Sequence, residues 1–186
     1  MTVTPVAPSA CEDPTVGARD LTTERLTLSR PRLSDAAQVF AVLGDPRTVE
    51  HNPSDRLETH GESAELVTRW IRHWEEHGFG YWCVRERSSE RVIGYAGVKR
   101  MTLQGRPVVN LVYRFVPEEW GQGYATEAAA AIVAQLRRET PTESIVARVR
   151  PDNLASQNVA LKVGLKRDAE LDCQGEDGPD WVFSNR

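Results

Sequence analysis

The chain has 186 residues, enough for one compact domain that buries a sizeable core without staples. Lys and Arg number 23 against 27 Asp and Glu, a formal charge of -4, and with 40% hydrophobic and 27% charged residues the mixture is that of an ordinary globular domain. The absence of a long basic run argues against a nucleic-acid partner, and no apolar run reaches the roughly 18 residues of a membrane span or opens the chain as a secretory signal, so the expectation is a cytoplasmic protein without a membrane partner.

Residues 1–20 carry Pro5, Pro8 and Pro14 among small and polar residues with no regular period, and read as a flexible N-terminal tail before a single domain over 21–186. Leu26-Thr27-Leu28 suits a strand, and Pro31 breaks it. Ser34 is placed to cap a helix carrying Ala37, Val39, Phe40 and Leu43, with Gly44 as its stop. A second helix runs from about Glu62 to His77, where Leu66, Val67, Trp70, Ile71 and Trp74 form one apolar stripe, and Gly78 and Gly80 end it. Tyr81 to Val84, Val92 to Val98 and Val108 to Val116 are β-branched and aromatic, and read as an antiparallel meander. An Ala-rich helix follows over Ala125 to Arg138, then a strand over Ser144 to Val149, a helix over Asn153 to Val163, and strands over Leu165 to Leu171 and Trp181 to Ser184. This order implies a mixed sheet with helices on its faces.

The stretch from Val116 to Ala128 places a strand, a glycine turn and a helix start in immediate succession. Free amides and the positive end of the dipole at a helix N-terminus favour a phosphate or pyrophosphate, and glycines admit it closely. Neither common nucleotide pattern fits. The phosphate loop needs Lys and Ser or Thr where Tyr124-Ala125 stand, and the dinucleotide pattern needs Gly or Ala at Thr126. The competing reading is a plain turn whose glycines supply positive φ.

Gly121-Gln122-Gly123-Tyr124-Ala125-Thr126-Glu127-Ala128 resembles the acyl-CoA pyrophosphate signature of the GNAT acetyltransferases, in the branch of RimJ- and RimL-like ribosomal-protein N-terminal acetyltransferases. Leu21 to Leu28 is similar to that branch's opening strand, Val92 to Gly97 to its central hairpin, and Asn153-Leu154-Ala155-Ser156 through Gly164 to its last helix. The resemblance covers most of the chain from Leu21 onward. It implies an α/β GNAT fold, a mixed, mostly antiparallel sheet of about seven strands with helices on both faces. It further implies acetyl-CoA as donor and direct transfer to a primary amine, on a protein N-terminus or a small molecule.

By the same resemblance, the backbone of Phe115 and Val116 lies against the pantetheine arm and acetyl carbonyl, with the oxyanion held by the amide near Val116. Gly121, Gln122, Gly123, Tyr124, Ala125 and Thr126 surround the pyrophosphate, without the basic contact often found at Gln122. Asn153 bonds the pantetheine arm, and Ser156 is the candidate acid for the leaving thiolate because Ala160 stands where relatives carry Tyr. Each also has a plain role as a helix cap. Asn110 occupies the position aligned with a catalytic carboxylate in many relatives, and an amide is no base at neutral pH. Trp120 replaces Arg or Gln and is expected to pack against the core. The departures at Asn110 and Ala160 keep open an alternative, an acyl-CoA-binding sensor or partner module with weak turnover. Homodimerisation is compatible with the resemblance, though no sequence feature demands it.

His73-Trp74-Glu75-Glu76-His77 matches an inverted zinc-protease motif, but it is short and lacks a third ligand segment, so no metal site is assigned. Cys11, Cys83 and Cys173 are odd in number and widely spaced, and read as reduced thiols, with Cys83 a buried hydrophobe rather than a nucleophile. Trp70, Trp74, Tyr81, Trp82 and Tyr95 are expected to be mostly core, with one or two available to wall an acceptor pocket.

Overall fold

In the computed structural model, which describes residues 20–186, the β-branched and aromatic runs pair into a nine-stranded sheet. Its strands are β1 (Leu21–Thr22), β2 (Leu26–Ser29), β3 (Tyr81–Glu86), β4 (Val92–Leu103), β5 (Arg106–Phe115), β6 (Ile145–Val149), β7 (Lys166–Arg167), β8 (Cys173–Gly175) and β9 (Gly178–Ser184). They are ordered β1-β2-β3-β4-β5-β6-β9-β7, with β8 on β9, and every pairing is antiparallel except that of β5 with β6. The helices are α1 (Ala36–Leu43), α2 (His60–His77), α3 (Tyr124–Glu139) and α4 (Leu154–Lys162). The tail expected over residues 1–20, with Cys11, lies outside the described residues except for Asp20, whose Oδ1 accepts the Arg30 amide at 3.1 Å.

The α/β architecture is the expected one, with more strands than the about seven anticipated. The strand expected over Leu165 to Leu171 stops at Arg167. There the Asp168 carboxylate accepts Ser184 Oγ at 2.8 Å and Arg186 at 2.7 Å, and Leu171 turns into a small apolar cluster with Val146 and Val182. Ser34 does not cap α1. Asp35 does the local bonding, its Oδ2 accepting the Arg32 amide at 2.9 Å across a 3-10 turn. α2 begins earlier than expected because Thr59 and Glu62 form a capping box, with Thr59 Oγ1 accepting the Glu62 amide at 3.2 Å and the Glu62 carboxylate accepting the Thr59 amide at 3.1 Å.

Two apolar layers sandwich the sheet. Ile132 and Val133 of α3 pack with Leu111, Phe115 and Ala147 on one face, while Val39 of α1 and Val67 and Trp70 of α2 pack with Tyr95 and Val112 on the other. Each large aliphatic side chain removed from water there contributes about 1.5–3 kcal/mol before entropy is counted. Gly97 lets the start of β3 close against β4: a Cβ there would lie 2.3 Å from Gly80 O, which accepts the Val98 amide. Among the described residues no helix is long and apolar enough to cross a membrane.

Candidate active site

The parallel pair β5 and β6 creates the opening on which the site is built. Only Val109 with Ile145 and Asn110 with Val146 are in register, yet β5 continues to Phe115 and β6 to Val149. Strands that part leave backbone groups without a ladder partner. The Val109 amide donates to Ser144 O at 2.8 Å on the β6 side, and the Val116 amide donates to Ile93 O at 2.9 Å on the β4 side. Alternation then turns the amides of Tyr113 and Phe115 into the opening. This corrects the expectation for Val116, whose amide is bonded to Ile93 and has no proton left for a cofactor or an oxyanion. Trp120 is also not a core residue. It is 50% exposed, and its indole Nε1 donates to Phe115 O at 2.9 Å on the rim of the opening.

The glycine turn follows directly. Gly121 and Gly123 adopt φ of +76° and +82°, where side chains are strained, and the second is the N-cap of α3. The Glu127 amide bonds Gly123 O at 3.0 Å and no side chain caps Gly123, so the amides of Tyr124, Ala125 and Thr126 are open to an anion. The Tyr124 hydroxyl donates to Glu86 at 3.0 Å, a partner that pushes its pKa up, so its contribution to an anion is the backbone. Arg25 braces the turn from the β1–β2 connection. Its Nη1 donates to Gln122 O at 2.9 Å, its Nε to Glu127 at 2.7 Å, and its guanidinium lies 4.4 Å over the Tyr124 ring. Burial opposes ionisation of Glu127, but Thr23 Oγ1 and the amide and guanidinium of Arg25 outweigh it and hold the carboxyl below its usual range. Sequence reasoning missed Arg25, since its partner lies far along the chain.

At the start of α4, Asn153 Oδ1 accepts the Ser156 amide at 3.0 Å, the plain capping role, which leaves its Nδ2 without a protein partner among the described residues. Tyr113, a residue the sequence did not single out, donates its hydroxyl to Ser156 O at 2.8 Å and pins α4 to β5; burial pushes its pKa up. The Ser156 side chain also interacts with the Tyr113 hydroxyl, which opposes the effect of burial on that tyrosine. A cavity of about 560 Å³ joins Asn110, Phe115, the glycine turn, the first residues of α3, Asn153 and Ser156, with Lys162 added from the end of α4. Of the expected site residues, Val116 and Gln122 do not line it.

The remaining candidates have ordinary roles. The His73 and His77 rings lie 4.4 Å apart and against Phe79, and the described residues hold no group of three or more potential metal ligands. Cys83 and Cys173 are free, and burial, reinforced by Asp35, pushes the Cys83 thiol far above its usual pKa. Trp70, Trp74, Trp82 and Tyr95 are buried.

Comparison with known proteins bears on the same features. The Bacillus subtilis protein YkkB is 27% identical over 146 residues, covering 78% of this chain and 84% of that one. A GNAT-family acetyltransferase from Bordetella pertussis superposes with a TM-score of 0.77 at 18% identity, covering 91% of this chain and all of the other. RimL, a ribosomal alpha-N-protein acetyltransferase solved with coenzyme A, superposes at 0.68 with 14% identity, covering 87% of this chain and 94% of the other. The profile of the acetyltransferase (GNAT) domain matches residues 25–166, from the arginine that braces the turn to the strand after α4. With its parted parallel strands and glycine turn, the chain belongs to the GNAT acetyltransferase family, whose cosubstrate is acetyl-CoA.

Proposed function

We propose that this protein transfers the acetyl group of acetyl-CoA directly to a primary amine, on a protein N-terminus or a small molecule. The observation that carries the reading is the opening between β5 and β6, where unpaired strand amides, the uncapped N-terminus of α3 and the Ser156 hydroxyl share one cavity. In this reading the pyrophosphate rests on the amides of Tyr124, Ala125 and Thr126, and the pantetheine arm enters between the strands, with Asn153 Nδ2 available to it. A neutral amine attacks the thioester carbonyl, its C–N bond forms, and the Tyr113 or Phe115 amide holds the oxyanion. The C–S bond then breaks, Ser156 gives a proton to the thiolate and is reprotonated from solvent, and the amine nitrogen loses its extra proton to solvent.

Of the carboxylates on the cavity wall, only the exposed Glu50 has no ion pair among the described residues. Asp55 is paired with Arg114, Glu119 with Arg91, and Asp180 with Arg148 and Arg150. This favours an α-amine, with a pKa of about 8, over a lysine near 10.4. A polycationic acceptor is disfavoured, because Arg47, Arg114, Arg148, Arg150 and Lys162 outnumber Glu50, Asp55, Glu119 and Asp180 on the walls. Calorimetry with acetyl-CoA tests the reading. Binding in the micromolar range is expected, weakened about tenfold or more by Thr126→Glu, which sets a carboxylate among the phosphate amides at a helix start that tolerates acids. No binding by the wild type overturns it, and binding without turnover across an amine panel favours the sensor.

A further inference from the structure

Asn110, Val112 and Arg114 share the face of β5 that α1 and α2 cover, opposite to Tyr113 and Phe115. Two of the three are incompletely bonded: among the described residues, buried Asn110 Oδ1 accepts nothing and buried Arg114 Nη1 donates to nothing. Native proteins seldom leave such groups unpaired, least of all on a charged side chain. Both residues line the cavity. The Arg114 side chain is only 13% exposed, and its ionic contact is one bond, from Nη2 to Asp55 Oδ2 at 2.9 Å.

The neighbouring arginines differ in this respect. Arg148 is held by Asp180 through Nε at 2.9 Å, and Arg150 by Asp180 at 2.9 Å and by the carbonyls of His51, Gly178 and Pro179. Among the described residues, Arg114 is the buried guanidinium with bonding capacity to spare. Asp55 sits at the end of the short 3-10 turn Pro53–Asp55 with 53% of its side chain exposed, so water readily accepts it when it swings away. A guanidinium fork matches a carboxylate with two parallel bonds, which Asp55 does not make here.

We propose that the amine acceptor also carries a carboxylate, which pairs with Arg114 in the place Asp55 holds. This rests on the acetyl-transfer reading and narrows its substrate class.

The test uses a ladder of amino acids of increasing length, each as free acid and as carboxamide: glycine, β-alanine, γ-aminobutyrate and ε-aminocaproate. Each pair is titrated into the CoA-saturated protein and offered for acetyl transfer. At one or more lengths the acid should bind about tenfold or more tightly than its amide, in the range of a buried charge pair. Arg114→Gln should bring that ratio to about one without altering acetyl-CoA affinity. Asp55→Asn, which keeps an acceptor oxygen beside Arg114, should tighten the acid several-fold and leave the amide unchanged. Equal binding of acid and amide at every length, a preference that survives Arg114→Gln, or an acid unaffected by Asp55→Asn overturns the proposal. Failure of the transfer reading looks different: acetyl-CoA does not bind, or the acid is preferred and never acetylated.

Discussion

Ser156 combines a backbone fixed at two points with a side chain that lines the cavity beside the Tyr113 hydroxyl. Its amide is bonded to Asn153 and its carbonyl to Tyr113, so the hydroxyl is presented from a rigid turn. Ser156→Ala should lower kcat about tenfold to a thousandfold and leave the acetyl-CoA Kd within about twofold, measured by steady-state kinetics beside calorimetry. An acetyl thioester of a more acidic thiol should recover part of the loss, because such a sulfur leaves without help; equal losses on both thioesters would remove Ser156 from the acid role. Asn153, Ser156 and the glycine turn were legible in the sequence because each lies within one contiguous motif whose local geometry follows from residue type. The Val116 amide, the Arg25 brace and the bare Arg114 nitrogen were not, since each depends on which way a residue faces and on partners from distant segments.

At the scale of elements, the close contact of β3 and β4 depends on a missing side chain. Gly97→Ala would drive a Cβ against main-chain atoms of Gly80 and Tyr81, at 2.3 Å and 2.4 Å, where no rotamer offers relief. Overpacking of this kind costs about 1–3 kcal/mol, so Tm should fall by about 3–10 °C in a thermal melt, with acetyl-CoA affinity nearly unchanged. The helices were legible to within about two residues because their stripes and stops are strong signals, apart from the role given to Ser34. The last strands were less so. Lys166–Arg167 has no pattern of its own, and its end is set by Asp168 bonding Ser184 and Arg186 across the sheet.

Over the whole molecule, His73 links stability to mild acid. Burial first, then the nearby His77 and Lys99, lower its pKa, while Glu76 opposes them. The fold therefore favours neutral imidazole. As pH falls through the unfolded value of about 6.5 the unfolded chain takes up the proton first, and stability declines until the folded pKa is passed. Asp45, Glu127, Asp168 and Asp172, whose pKa values are also depressed, act only in the carboxylate range below about 4.5. Thermal melts between about pH 7.5 and 5.5 should show a falling Tm in the wild type and a flatter profile in His73→Gln; parallel profiles would place the linkage elsewhere. The alternation along β5 has a last consequence, for how such a protein changes over time. On the proposed reading, one strand offers the cofactor its odd-numbered amides and the acceptor its even-numbered side chains, so substitutions at 110, 112 and 114 would rewrite acceptor choice and leave the donor machinery in place. A single-residue insertion or deletion in that strand would exchange the two sets at once, which makes point replacement the open route to new acceptors and length change a closed one.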